Sequence, residues 1–401
     1  MKHNGAFPSI GFLSTYPPTS CGLATFAAAL RGAIADRRGS NEGLGVVSLA
    51  DGPLSALEPE VVHAHLNGNS ASLAGAIEAL NSFDAAIVQH EYGIFGGPDG
   101  SEVLDLLSGI EIPAVVTLHT VLSQPSPSQR SILEKVVGLS VRTVVMSDTA
   151  RRRLVDGYRI SPAKVRVIQH GARTGLSGPS LANGTRPVVL TWGLIGPGKG
   201  LEMAIDALAG LRDLRPLPRY VILGKTHPKV QASQGDAYLE GLAARVHALG
   251  LDDVVEFDGR YLDLESLALA VRQADVVVLP YESTEQVTSG VLVEALAAGK
   301  PVIASAFPHA VELLGAGAGI VVPHGDSMAL TAALRRVLTD SSLSSQMATE
   351  ARKIGSTLLW PAVASQYDNM ATTLVARYQA GRALTAANPP QEVVDGLADA
   401  S

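Results

Sequence analysis

Short runs of Val, Ile, Leu and Ala recur along the chain. Each is followed by a glycine-rich or polar loop, and then by a segment whose apolar residues return every three or four positions. Runs without polar alternation suit strands whose sheet is covered by helices on both faces, so the pattern predicts parallel α/β layers. In the first half the expected strands are Ser9–Tyr16, Val61–His65, Ala85–His90, Ala114–His119, Thr143–Ser147 and Val165–His170. A second series follows at Val188–Trp192, Tyr220–Leu223, Val254–Phe257, Val276–Pro280, Pro301–Ser305 and Gly319–Pro323. Between the two series, Arg173–Pro187 is rich in Gly, Ser, Pro and Asn and reads as a connection. The chain therefore reads as two Rossmann-like, doubly wound parallel-sheet domains, over residues 1–175 and 188–356, joined by a linker over 176–187. Beyond them, Trp360, Val363, Tyr367, Met370, Leu374 and Tyr378 have helical spacing, which predicts a helix within 357–380, with a flexible tail over 381–401.

Composition narrows the class. The 401 residues are 46% hydrophobic and 17% charged, enough apolar material for two cores, and with only 4% aromatics those cores rest on aliphatic side chains. No run approaches the roughly 18 apolar residues that span a bilayer, and the first residues lack a signal-type apolar stretch, so the expectation is a cytoplasmic protein. Cys21 is the single cysteine, which excludes an internal disulfide and a cysteine-based zinc cluster. The net charge is −7, and because residues 1–187 hold equal numbers of acids and bases, all of it comes from the second half. That is not the basic footprint of a nucleic-acid binder. Arg151-Arg152-Arg153 reads first as a solvated helix face, with contact to anionic lipid as the alternative.

In open parallel sheets ligands bind beyond the carboxyl ends of the strands, and the chemically capable residues collect at those ends. The loop Gly193–Gly200 holds four glycines and Lys199, which permits close backbone approach and places a point charge at a helix start. Its spacing is not that of a P-loop. Thr288-Ser289 read as the N-cap region of a helix that Gly299 ends, and Glu294 on that helix leans back toward the Ser289-Gly290 amides. Those amides favour an anion, whereas a carboxylate repels one. The two agree if Glu294 accepts hydrogen bonds from sugar hydroxyls such as those of a ribose. On the first domain, His119 ends a strand, where it could donate to a hydroxyl or share charge with a phosphate, and His90-Glu91 end its neighbour. His63 and His65 share a strand face but lack a third ligand in sequence, so no metal site is expected.

At these positions the chain resembles the GT-B glycosyltransferases of family 4, in particular the bacterial mannosyltransferase-like subset. The resemblance rests on Tyr16–Phe26, Gln89–Gly97, Gly193 with Lys199-Gly200, Leu223–Pro228 and Gln286–Gly299. It implies a retaining, metal-independent transfer of a hexose, leaning to mannose, from a nucleotide-diphosphate sugar to a hydroxyl acceptor that is a sugar, another small molecule or lipid-linked. No cofactor is implied beyond the donor substrate, GDP-mannose first and UDP-sugars next, and no nucleic acid or stable membrane insertion. A peripheral place at the inner membrane face is compatible. Carried over by position, Lys199 would hold the diphosphate, Glu294 the ribose, the Ser289-Gly290 amides a phosphate, and His119 the transferred sugar. Gly22 would let the first loop approach the donor, and His90 and Glu91 would join His119 on the catalytic side. Gly193, Lys225, Arg260, Tyr261, Gln286 and Thr288 would complete the donor site, and the last helix would cross back onto the first domain. Two positions depart from the family: Leu194 stands where an arginine is usual, which points to Lys225 or Arg260 as the second phosphate cation, and Gln286 replaces the first of two glutamates. The alternatives are a nucleotide-sugar epimerase or hydrolase on the same scaffold, or a non-catalytic sugar-nucleotide-binding protein.

Overall fold

The structure, a computed structural model, describes residues 7–54, 56–176, 186–260 and 263–387. Its first sheet contains β1 (Ile10–Ser14), β2 (Leu44–Ala50), β3 (Val61–Leu66), β4 (Ala85–His90), β5 (Ala114–Leu118), β6 (Arg142–Val145) and β7 (Val165–Val167), in the order β3-β2-β1-β4-β5-β6-β7. Its second contains β8 (Val188–Trp192), β9 (Arg219–Leu223), β10 (Val255–Asp258), β11 (Val276–Leu279), β12 (Val302–Ser305) and β13 (Gly319–Val322), in the order β10-β9-β8-β11-β12-β13. All pairings are parallel, and every residue of β1, β2, β4 and β5 is buried, as the unalternating runs require. In each sheet the order reverses beside the first strand, between β1 and β4 and between β8 and β11, and those switch points are where a ligand crevice forms.

Strand β2 is absent from the expected series. Gly43 and Gly45 interrupt its apolar run, and glycine weakens a strand pattern. The structure supplies the reason for Gly45: a Cβ there would lie 2.4 Å from the Phe83 ring. Close packing, invisible in the local pattern, holds the segment in the sheet.

Five helices position the site: α1 (Gly22–Arg38), α2 (Asp148–Arg152), α3 (Leu201–Ala209), α4 (Gly290–Ala297) and α5 (Trp360–Ala387). Helix α5 packs on the first sheet, with Val363, Tyr367, Met370 and Leu374 in one core with Ile10, Phe12 and Phe26. Tyr367 Oη meets Thr117 Oγ1 at 3.1 Å, and buried Asp368 accepts from Arg38 at 2.5 Å and from Arg37 at 3.2 Å. The helix runs through Ala387, so residues 381–387 of the expected tail are helical; the rest of that tail and most of the expected linker lie outside the described residues. Two chain crossings lie side by side where the lobes meet: Ala172 N donates to Leu358 O at 2.6 Å and Trp360 N to Ala172 O at 2.8 Å. Farther along the interface, Glu312 of the second lobe accepts from the Asp148 and Thr149 amides that begin α2, each at 2.9 Å.

Candidate active site

A cleft of about 920 Å³ separates the carboxyl edges of the two sheets. From the first lobe it is lined by Ser20-Cys21-Gly22 after β1, Glu91 after β4 and His119-Thr120 after β5. Cys21 caps α1, its Sγ accepting from Ala24 N at 3.4 Å, and a Cβ on Gly22 would meet nothing within 4 Å, so this loop leaves space in front of the helix start. His119 Nε2 donates to Gln89 Oε1 at 2.8 Å, and Phe26 meets the rings of His119, His170 and Trp360 edge-on at 4.9, 5.0 and 5.1 Å. Burial, with the neighbouring imidazoles His170 and His90 adding to it, pushes the His119 pKa down to about 3. Without an anion beside it the ring is neutral near pH 7, and with Nε2 donating to Gln89, Nδ1 is left to accept from a hydroxyl rather than donate to one.

Glu91 receives hydrogen bonds from Thr120 Oγ1 and from Tyr92 N, the latter at 3.1 Å. Burial raises its carboxyl above the ordinary range, and those two bonds oppose the rise. It caps the turn Tyr92–Ile94 and also faces the cleft. His90 does not. Its side chain is fully buried against Tyr92 and Phe95, both ring nitrogens lack partners among the described residues, and burial pushes its pKa down to about 4. The first lobe thus brings His119 and Glu91 to the cleft and turns His90 into the sheet, because successive strand residues face opposite sides.

From the second lobe come Gly193, Leu194 and Lys199 of the β8 loop, with Lys225 after β9. The loop is held by backbone contacts that only glycine allows: a Cβ on Gly200 would lie 1.9 Å from Pro280 O and one on Gly224 2.0 Å from Gly193 O, both at positive φ. Lys199, one residue before the αL cap of α3, sets its Nζ 4.6 Å from the centroid of the Tyr281 ring. Arg260, one of the two residues expected as a second phosphate cation, reaches the rim with its side chain 77% exposed and pairs with Asp258 through bonds of 2.6 and 2.8 Å; Lys225, the other, lines the same cleft. Tyr261 lies outside the described residues.

The start of α4 supplies Gln286, Thr288, Gly290 and Glu294. Ser289 Oγ caps the helix by accepting from Leu292 N at 3.3 Å. Its own amide donates to His309 Nδ1 at 2.9 Å and is therefore not turned to a ligand, which removes Ser289 from the expected pair of phosphate-facing amides, while Gly290 lines the cleft. Gln286 Nε2 donates to Thr288 O at 3.1 Å, which fixes the loop. Glu294 lies within the cleft wall, its side chain 17% exposed, accepting from Trp192 Nε1 at 3.4 Å. Burial raises its pKa, and Arg173 and the Trp192 bond pull the other way.

Residues 174–354 match the family described as glycosyl transferases group 1, and residues 46–175 the one described as glycosyltransferase family 4. A phosphatidyl-myo-inositol mannosyltransferase of Mycobacterium leprae is 31% identical over 279 residues, 66% of this chain and 69% of that protein. The chain belongs to glycosyltransferase family 4. A D-inositol 3-phosphate glycosyltransferase of Kineococcus radiotolerans is 32% identical over 290 residues, 63% of this chain and 64% of its own length, so the chain spans just under two thirds of that relative. Among solved structures, Anabaena HepE in complex with UDP superposes with a TM-score of 0.73 at 21% identity, over 91% of this chain and 100% of that one, a likeness of fold. The two lobes, each a parallel sheet with helices, have the GT-B architecture of this family. Among the described residues no helix is long and apolar enough to cross a membrane.

Sequence reasoning overlooked several residues that this family 4 chain brings to the cleft. His170 and Trp360 flank it where the chain crosses between lobes. Arg173 opens the glycine- and serine-rich connection, yet its Nε lies 3.7 Å from Glu294 Oε1. Glu285 spans the cleft, accepting from Ser123 N at 2.7 Å and Arg153 Nη1 at 2.8 Å. Burial alone would raise the Glu285 carboxyl, but the Ser123 and Arg153 contacts outweigh it and hold the pKa low. A residue's own sequence neighbours carry no signal for such partners across the cleft.

Proposed function

We propose that the protein is a retaining, metal-independent glycosyltransferase that moves a hexose, mannose before glucose, from a nucleoside-diphosphate sugar to a hydroxyl of a polyol, sugar or lipid-linked acceptor. The observation that carries this reading is one cleft in which Lys199, Gly290 and Glu294 of the second lobe face His119 and Glu91 of the first. Lys199 and the start of α4 suit the negative charge that grows on the leaving diphosphate, and such preorganised donors often supply the largest single catalytic contribution. Glu294, a buried acceptor, suits two ribose hydroxyls. His119, neutral and with an acceptor nitrogen, suits a hydroxyl of the transferred sugar. In the proposed step the bond from the anomeric carbon to the diphosphate oxygen breaks, the acceptor oxygen bonds to that carbon on the same face, and its proton passes to the departing phosphate. The interlobe contacts of Glu285 and Glu312 would keep water out of the closed cleft.

The mannose preference and an acceptor of the inositol class draw on the relatives' names, and a uridine donor on the HepE complex. Calorimetry with GDP, UDP and their sugars, followed by nucleotide release with and without polyol acceptors, tests the reading. Tight binding of one nucleoside diphosphate and release that depends on acceptor are expected, with proton NMR showing a retained anomeric configuration. An isomerised sugar without acceptor would favour the epimerase, and binding without turnover a sensor.

A further inference from the structure

Leu194 leaves the glycine-rich loop with Lys199 as its cation, while Lys225 stands after β9 and Arg260, paired with Asp258, stays 77% exposed at the rim. A diphosphate beside Glu294 therefore presents an electrostatic problem, since the carboxylate repels it. The crossing after β7 places Arg173 there. His170, three residues earlier, passes so close to α4 that a Cβ on Gly290 would lie 3.0 Å from its Cε1. The chain thus delivers Arg173 beside Glu294, one turn from the helix start where the proposed donor's phosphates belong. Its side chain is 22% exposed and lines the cleft. At 3.7 Å the contact from Nε to Glu294 is an ion pair rather than a hydrogen bond, and Nη1 is buried with no partner among the described residues. A buried N–H without an acceptor is unfavourable, and a planar guanidinium with donors to spare suits a phosphate in a way a ribose hydroxyl cannot match. Thr288 Oγ1, on the loop leading into α4, is a second buried polar atom in the same wall without a partner among the described residues.

We propose that Arg173 is the second diphosphate cation of the donor site, replacing the arginine that Leu194 displaces, with Glu294 holding its guanidinium between carboxylate and phosphate. This rests on the nucleoside-diphosphate reading above. A cation in that position turns the repulsion between Glu294 and the phosphates into two attractions, so ribose and diphosphate recognition become compatible in one pocket.

The test compares two affinities rather than one activity. Calorimetry would measure UDP and GDP, and uridine and guanosine, on the wild type and on Arg173→Ala, Arg173→Lys and Glu294→Ala. Arg173→Ala is expected to weaken the bound diphosphate by about ten- to a hundredfold, the scale of a hydrogen bond to a charged group, while nucleoside affinity moves by less than about threefold. Lysine should restore part of the diphosphate affinity, and Glu294→Ala should weaken nucleoside and diphosphate together. Arg173→Gln, which keeps the stem's packing, replaces the alanine variant if that one melts early. Equal losses for nucleoside and diphosphate, or no loss for either, would overturn the role of Arg173 and leave the donor reading standing. A wild-type protein that binds neither diphosphate would overturn the donor reading itself.

Discussion

At the scale of single residues the site is a set of charges and neutral rings tuned by burial. Lys199 lines the cleft, and on the proposed reading it meets the charge of the leaving group, so Lys199→Ala should lower kcat by at least about two orders of magnitude with the melting temperature little changed. Near-wild-type kcat in a folded variant would remove Lys199 from the mechanism. His90 gives a prediction of the opposite kind, about stability. Burial pushes its pKa from 6.5 down to about 4, so the folded state binds its proton less readily than the unfolded chain. The stability it contributes is fully present above about pH 6.5 and is lost as the pH falls toward 4. His90→Phe should therefore have a shallower fall in melting temperature between pH 7 and pH 4.5 than the wild type, and parallel curves would show that this imidazole is not the titrating group.

At the scale of elements, helix α5 fastens the last part of the chain to the first lobe. Its apolar face supplies Val363, Tyr367 and Met370 to the core around β1, and its polar contribution is concentrated in Asp368. The Arg38–Asp368 pair is almost wholly buried, with side chains 3% and 2% exposed. Removing one partner leaves the other charge buried and unpaired, so Asp368→Ala should cost about 3–5 kcal/mol. A denaturant titration would read this as a lower midpoint, and a midpoint at the wild-type value would mean that the helix is held by its apolar face alone. The sequence already contained the face of α5, because its period is local. It did not contain β2, whose glycine at 45 is explained only by the Phe83 ring that fills the space above it.

At the scale of the whole molecule, two carboxylates of the second lobe grip backbone amides of the first. Glu312 accepts from the Asp148 and Thr149 amides, and Glu285 from Ser123 and Arg153. Both contacts reach the same stretch of the first lobe, residues 148–153 together with Ser123, and they are polar, which suits lobes that part and rejoin. The double substitution Glu285→Ala with Glu312→Ala should raise the radius of gyration seen by small-angle scattering and weaken donor retention, while each lobe keeps its secondary structure. An unchanged scattering curve would show that the crossings at Ala172 and Trp360 fix the lobes without these clasps.

The sequence by itself determined what repeats locally: the β-runs and amphipathic segments of two parallel sheets, the glycine-rich loop before Lys199, the helix carrying Glu294, and the period of α5. Each depends on neighbours within a few positions, so the pattern of side chains suffices. Only the tertiary structure decided which of those groups share a cavity and in what state. It turned His90 into the sheet, gave the Ser289 amide to His309, tied Arg260 to Asp258, and made His119 a neutral ring. It also brought Arg173, which looked like linker, against Glu294 across more than a hundred residues of chain. Hydrogen-bond partners and burial are properties of what surrounds a side chain in space, and a one-dimensional pattern carries no record of them.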